Sequence, residues 1–392
     1  MIDAKLNKPS EKKFLALEGL RGVASIVVLI AHLKNAFFPD VVSSIETRWG
    51  KHASILLAGC LDANFAVWLF WVMSAFVLSV RFHATKSSED ATKSLGSATV
   101  RRYPRLALPV LASSIFAWIL LNAGLMNNQE LAAALGQQSS SWVGSFYGFE
   151  PSLTNALRCG LWDSFFAYSP ESSYNRNLWT MEIEFLGSLF LFAFLGLLGK
   201  HPSRVLFYAI TFIVLHRIQF NVVNAFLVGI ILSDIYSRRD QFTKWEESFP
   251  VLSTTRYLKS GWVLALSAVP FIYLVGLPNY VNLLHLLLSA VITFVCVHDT
   301  FLARILSRPI FVFLGAISFG VYLVHIPLIC SMGLPLYQIA LGASQDPFAR
   351  VIAFLGLFMI SVFFGFLMWF LVDRHSVRFA RWFEALVSSR ST

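Results

Sequence analysis

The sequence of 392 residues is 56% hydrophobic and 14% charged, with a mean hydropathy of +0.65, whereas soluble domains carry roughly 25% charged residues. A soluble fold of this length cannot hide that much apolar surface, so the composition excludes a soluble enzyme and predicts an all-α, polytopic transmembrane helical bundle. The net charge of +9 is spread over short stretches between apolar segments, which excludes nucleic acid as a partner and fits anchoring in a lipid bilayer.

Residues 1–13 read as a cytosolic tail. The first apolar stretch, 14–38, is too long for a signal-peptide core and contains Arg21 and His32, so it is read as a retained helix over 15–37. Windows of about 20 apolar residues place further helices near 58–80, 104–122, 179–199, 205–220, 221–236, 261–278, 282–298, 309–331 and 350–372. That makes about ten helices in one membrane-embedded domain, 1–392. The segment 205–220 has a clean apolar core only from Val205 to Leu215, so a re-entrant course is its alternative. Loop charge favours a full crossing, because removing it would place Arg238, Arg239, Lys244, Arg256 and Lys259 outside. Both termini are then cytosolic, and the protein is multi-pass in an endomembrane or the plasma membrane.

The longest outer loop, 123–178, carries Arg158 and Arg176 against Glu130, Glu150, Asp163 and Glu171. It reads as a lid or acceptor-binding loop, with a disordered connector as the plain alternative. Cys60, Cys159, Cys296 and Cys330 lie far apart with no ligand-like spacing to histidine, which predicts no disulfide framework and no metal.

Ionisable side chains inside a bilayer cost about 2.5 to 3.5 kcal/mol even on lenient scales, so they face cavities or partners. Arg21 and His32 share a face of the first helix, about 16 Å apart along its axis. Arg21 has a plain alternative as a snorkelling anchor or partner of Glu18, and His32 as a packing histidine. Thr180, Glu184 and Ser188 form a polar stripe at i+4 intervals. Ser318, Tyr322 and His325 form another, although a histidine beside Pro327 can instead satisfy a carbonyl that the proline frees. His32, Glu184 and His325 all fall in the outer half of the membrane. On the cytosolic side, Arg101, Arg102 and Arg105 open the helix at 104–122 and can converge on one anion, or simply anchor on lipid phosphates. A basic patch with a His/Glu cluster deeper in suits a substrate with an anionic head and a long thin arm, which is the shape of coenzyme A.

Several sequence blocks occur in one order over nearly the whole chain: Leu17-Glu-Gly-Leu-Arg-Gly22 followed by His32, Leu69-Phe-Trp-Val-Met-Ser-Ala-Phe76, Arg101-Arg-Tyr-Pro-Arg-Leu106, Leu178-Trp-Thr-Met-Glu-Ile-Glu184, Ser318-Phe-Gly-Val-Tyr-Leu-Val-His325 and Val372-Asp-Arg374. With these the chain resembles the acyltransferase 3 family of multi-pass membrane acyltransferases. It departs from the family pattern at Ala75, where glycine is usual, at Pro109, one place late, and at Asp373, where glutamate is common.

The resemblance implies an O-acyltransferase that takes an acyl group, in the first instance acetyl, from acyl-CoA as co-substrate. The acceptor is then a hydroxyl of a glycan or of a small molecule such as a secondary metabolite, as in the fungal members whose short loops this chain resembles. Its implied catalytic residues are His32 as base, Glu184 and Arg21. Arg101, Arg102 and Arg105 serve the donor, while His325, Tyr322, Ser318, Trp179 and Ser74 line the acceptor side. Buried His, Glu and Arg also mark transport pathways, so a transporter or flippase with an intramembrane relay is the competing class. The absence of an inverted repeat in the sequence weighs against it. A non-catalytic scaffold is the third class, and oligomeric state is not legible.

Overall fold

A computed structural model describes residues 14–138, 140–218, 220–238, 281–298 and 300–389, and among these every regular element is helical. The longer helices are α1 (Leu15–Phe37), α2 (Ala63–Ala84), α3 (Ser88–Asn122), α4 (Trp179–Leu198), α5 (Arg204–Arg217), α6 (Asn221–Ser237), α7 (Val281–Val297), α8 (Pro309–Ala343), α9 (Asp346–Met368) and α10 (Arg374–Ser388). By length and composition, six stretches of the described residues are apolar enough to cross a membrane: Leu15–Phe37, Ala53–Ala84, Ser88–Asn122, Arg176–Leu198, Pro309–Ala343 and Asp346–Ser388. The protein is therefore an integral membrane protein. Helices α6 and α7, at 17 residues each, and α5, at 14, are shorter. The segment expected at 261–278 lies outside the described residues.

Helix α3 differs most from its expected extent, beginning sixteen residues before 104. Its first half is charged, so a hydropathy window misses it, yet Ser87 caps its amino end by accepting from the Asp90 amide at 3.3 Å, and Glu89 and Asp90 occupy its first turn. The Arg101 to Arg105 cluster consequently sits in mid-helix and does not open it.

In lipid the hydrophobic effect does not drive helix against helix, so close backbone approach at small residues becomes the main source of association. Helices α1 and α8 cross in this way. A methyl group added to Gly22 would lie 2.6 Å from the Gly315 nitrogen, and one added to Gly315 would strike the Glu18 carbonyl. Helices α8 and α9 repeat the device, since a methyl on Gly365 would meet the Val321 nitrogen at 2.8 Å. Ala75 of α2 packs directly against Gly229 of α6, so a glycine on the facing helix makes room for its methyl group.

The start of α1 defines the basal end of the bundle, where Phe14 meets Phe76 and Tyr236 at ring separations of 5.2 and 5.4 Å. The opposite end carries the segment 123–178, which is folded and bonded to the bundle. The Asn127 amide donates to the Cys330 carbonyl at 2.8 Å, and Gln137 Nε2 donates to the Ala36 carbonyl at 2.7 Å. Part of the segment re-enters. From Leu153 to Phe166 it descends beside α3, where Gly160 abuts Leu111 and Phe165 packs against Tyr103 and Phe185.

Candidate active site

Two polar clusters lie along one face of α4 and its leading turn. Asn177, Thr180, Glu184 and Ser188 follow at helical spacing, so the row runs about 16 Å from the loop end toward the basal end.

The upper cluster joins α1 to α8. His32 Nδ1 lies 2.8 Å from His325 Nε2, with the rings within 16° of coplanar. The partners define the tautomers. His325 Nδ1 is 2.8 Å from the Val321 carbonyl, which only accepts, so that nitrogen carries the proton and Nε2 offers a lone pair. Asn177 Nδ2 donates both to the Tyr322 carbonyl, at 3.3 Å, and to that lone pair, at 2.9 Å. His32 must therefore donate from Nδ1, which leaves the lone pair on its own Nε2. His325 is 1% exposed and His32 half-buried. Trp142, delivered by the 123–178 segment, lies 5.1 Å from the His32 ring at 27°.

Pro327 frees the Leu323 carbonyl, but His325 does not bond to it. Ser113 Oγ and Asn175 Nδ2 donate to this carbonyl at 2.6 and 2.9 Å, which leaves the imidazole for His32. Tyr322 donates to the Asn177 carbonyl, and its hydroxyl lies 2.8 Å from Thr180 Oγ1.

The lower cluster joins α2, α3 and α4. Arg102 pairs with Glu184, both side chains being nearly buried at 11% and 13% exposure, and Ser74 Oγ donates to the same carboxylate. Arg102 Nε donates to Ser188 Oγ at 3.0 Å. No bond joins Glu184 to His32 among the described residues. The group that orients His32 is His325.

The three arginines diverge, each to its own acid. Arg101 and Arg105 share a helix face and tie α3 to the chain that continues α9. There a π-turn, Trp369–Asp373, brings Asp373 within 2.5 Å of Arg105, while Glu384 sits 3.3 Å from Arg101. Arg102, turned about 100° away, faces the interior. Arg21 pairs loosely with Glu18 at 3.7 Å and lies close enough to Arg102 to interact with it electrostatically. Arg21, Arg101 and Arg105 each keep about a third of the side chain exposed.

Two expected acceptor-side residues have other partners. Ser318 Oγ donates within its own helix to the Gly315 carbonyl at 2.7 Å. Trp179, 38% exposed, stands edge-on to Trp71 at 6.0 Å. Asn177, Asn175, Ser113 and Trp142 were not singled out in the sequence. Asn177 had a legible signal, because it extends the Thr180–Glu184–Ser188 row by one turn. In the loop, burial pushes the Tyr168 hydroxyl up to about 12, so it is neutral at physiological pH, and its proton is donated to the Arg176 carbonyl at 2.9 Å.

Comparison with known proteins places the chain in a family. A family model described as an acyltransferase domain matches residues 14–370. "Acyltransferase R4" of Phoma sp. (strain ATCC 20986 / MF5453) is 24% identical over 84% of this chain and 85% of its own length. "Acyltransferase clz18" of Cochliobolus lunatus is 25% identical over 84% of this chain and 86% of its own. No solved structure matches. With the match covering nearly the whole bundle, including His32, Glu184 and His325, the chain belongs to the acyltransferase 3 family and is an acyl-transferring enzyme of the membrane.

Proposed function

We propose that the protein is an O-acyltransferase that moves an acyl group, acetyl in the first instance, from acyl-CoA to a hydroxyl of a small molecule, such as a secondary metabolite, or of a glycan. The observation that carries this reading is the His32–His325 bond of 2.8 Å, which holds the lone pair of His32 Nε2 free for a proton.

A hydroxyl is a weak nucleophile until a base takes its proton, and neutral imidazole suits that role. His32 Nε2 accepts the hydroxyl proton as the acceptor oxygen bonds to the thioester carbonyl carbon. The carbon–sulfur bond then breaks, and His32 returns the proton to the departing sulfur. His325 holds the ring and stabilises its charge from the other side, as an imidazole partner accepting from Nδ1 can. Trp142 covers the ring and keeps water from competing with the acceptor.

The donor fits the remaining polar groups. Arg21, Arg101 and Arg105 retain exposed guanidinium surface that suits phosphate oxygens. The row from Ser188 to Asn177 leads from there to His32 and suits the amides of a thin arm. Arg102 and Glu184 line that row. In this reading the basal end is cytosolic, the chain crosses about ten times with both termini inside, and the 123–178 segment faces the acceptor's side.

Purified protein in detergent with acetyl-labelled acetyl-CoA and candidate alcohols tests the proposal. Label on the acceptor with stoichiometric free thiol supports it. Label that stays on the coenzyme with every acceptor and acyl length would sink it and favour transport. Comparing metabolites and glycans from cells with and without the gene identifies the acceptor.

A further inference from the structure

The basal end holds a second polar site, remote from both clusters. A cavity of about 280 Å³ opens among the ends of α2, α4 and α6 and the start of α5, lined by His83, Lys200, Arg204, Asp234 and Arg238. Among the described residues, three cations thus face one carboxylate. Asp234 bonds both arginines at 2.9 Å and holds their forks in place. Lys200 Nζ donates to the Phe82 and Thr85 carbonyls at 3.1 and 2.6 Å.

Ion pairing and helix-end capping explain those bonds, but they do not explain His83. Its Nδ1 lies 2.8 Å from Ser233 Oγ, whose own proton goes to the Ile230 carbonyl at 2.8 Å. Nδ1 is therefore the donor of that pair, and the opposite nitrogen, Nε2, is buried with no partner among the described residues. With Nδ1 donating, Nε2 of the neutral ring is an acceptor, so excess positive charge beside it suits an anion that also carries a proton, as a phosphomonoester monoanion does.

Position selects the source of that anion. From Asn177, at the histidine pair, to Gly199, which lines the cavity, the α4 stretch rises about 33 Å, a full hydrocarbon thickness. The cavity therefore sits at headgroup level on the side opposite the proposed base. Its size lies just below the range of about 300–1,000 Å³ usual for small-molecule pockets, so it suits a headgroup better than a whole coenzyme. Beside it, α5 turns Leu206, Ile210 and Ile213 outward at 58%, 48% and 59% exposure, an apolar wall leading from the cavity up the flank of the bundle. Basic pockets between helices at a membrane face take anionic headgroups in this way.

We propose that this cavity binds the phosphomonoester of an anionic phospholipid, with His83, Lys200, Arg204 and Arg238 around the phosphate and the acyl chains along α5. The inference does not depend on the identity of donor or acceptor.

Native mass spectrometry of the full chain in detergent tests it, with phosphatidic acid and phosphatidylcholine of equal acyl chains as probes. Preferential retention of phosphatidic acid, by about tenfold, is expected, with a loss of about fivefold for each of Arg238→Gln and Lys200→Gln. Arg374→Gln, a basic residue at the same end that stacks on Phe370, leaves retention unchanged. Inorganic phosphate and coenzyme A at millimolar concentration do not displace the lipid. Equal retention of the two lipids, or an equal loss in Arg374→Gln, overturns the proposal. Displacement by coenzyme A overturns the lipid assignment and gives the cavity to a soluble phosphate ester. Should Arg238→Gln fail to fold, Lys200→Gln and the wild-type preference decide, since among the described residues Lys200 bonds carbonyls and forms no ion pair.

Discussion

His32 and His325 are joined end to end, Nδ1 to Nε2 at 2.8 Å, across the same pair of helices that cross at Gly22 and Gly315. The crossing sets the reach of the bond. The two glycines let the backbones approach, and the histidines, ten residues further along each helix, meet because the helices diverge little over that length.

His325→Phe keeps the ring volume but removes the acceptor for His32 Nδ1–H, so His32 loses its fixed tautomer. The turnover number falls about 10²-fold with KM for the donor nearly unchanged, whereas His32→Ala costs about 10⁴-fold, at the upper end for general base catalysis. Steady-state thiol release, normalised to folded protein by size exclusion, measures both. A KM effect alone in His325→Phe would remove its positioning role.

Breaking the Arg102–Glu184 pair leaves a nearly buried charge unpaired. Arg102→Met or Glu184→Leu alone destabilises the protein by about 3 to 5 kcal/mol, and the double substitution recovers most of that loss. Thermal unfolding in detergent reads the cycle. Recovery of stability without recovery of activity assigns the pair to the reaction path, and recovery of both makes it structural.

Gly22→Ala puts a methyl group 2.6 Å from the Gly315 nitrogen, so α1 must move off α8. A loss of about 1 to 3 kcal/mol is expected, together with a drop in activity that exceeds the loss of folded protein, because the displacement stretches the histidine bond. Ala75→Gly, by contrast, removes a methyl group that already has its room at Gly229 and should leave transfer intact within a factor of about two.

Trp142→Ala uncovers the His32 ring. Water then reaches the base, and donor hydrolysis without acceptor rises relative to transfer by about tenfold. Product partitioning with labelled donor measures the ratio. An unchanged ratio would mean that the indole only packs.

Arg105→Ala frees Asp373 and Ser376, to which it bonds at 2.5 and 2.6 Å, and removes a guanidinium a third exposed. KM for acyl-CoA rises about tenfold with the turnover number within a factor of about three. If Arg105→Ala and Asp373→Asn lower only expression, and equally, the pair serves to dock α10 and not the donor.

The membrane setting, the courses of α1 and α4 and the start of α8 were legible in the sequence, because hydropathy over 20 residues and the 100° step between side chains are local properties; α8 runs twelve residues past its expected end, to Ala343. The Thr180–Glu184–Ser188 row was legible for the same reason. What each of these groups bonds to was decided in three dimensions. Which arginine turns inward depends on where α4 and α10 lie against α3, and the choice of His325 as partner of His32 depends on a glycine crossing and on Ser113 and Asn175 relieving the carbonyl that Pro327 frees. The descent of Leu153–Phe166 beside α3 has no periodic signature, since its stabilisation comes from neighbours far away in the chain, and only their packing determines it.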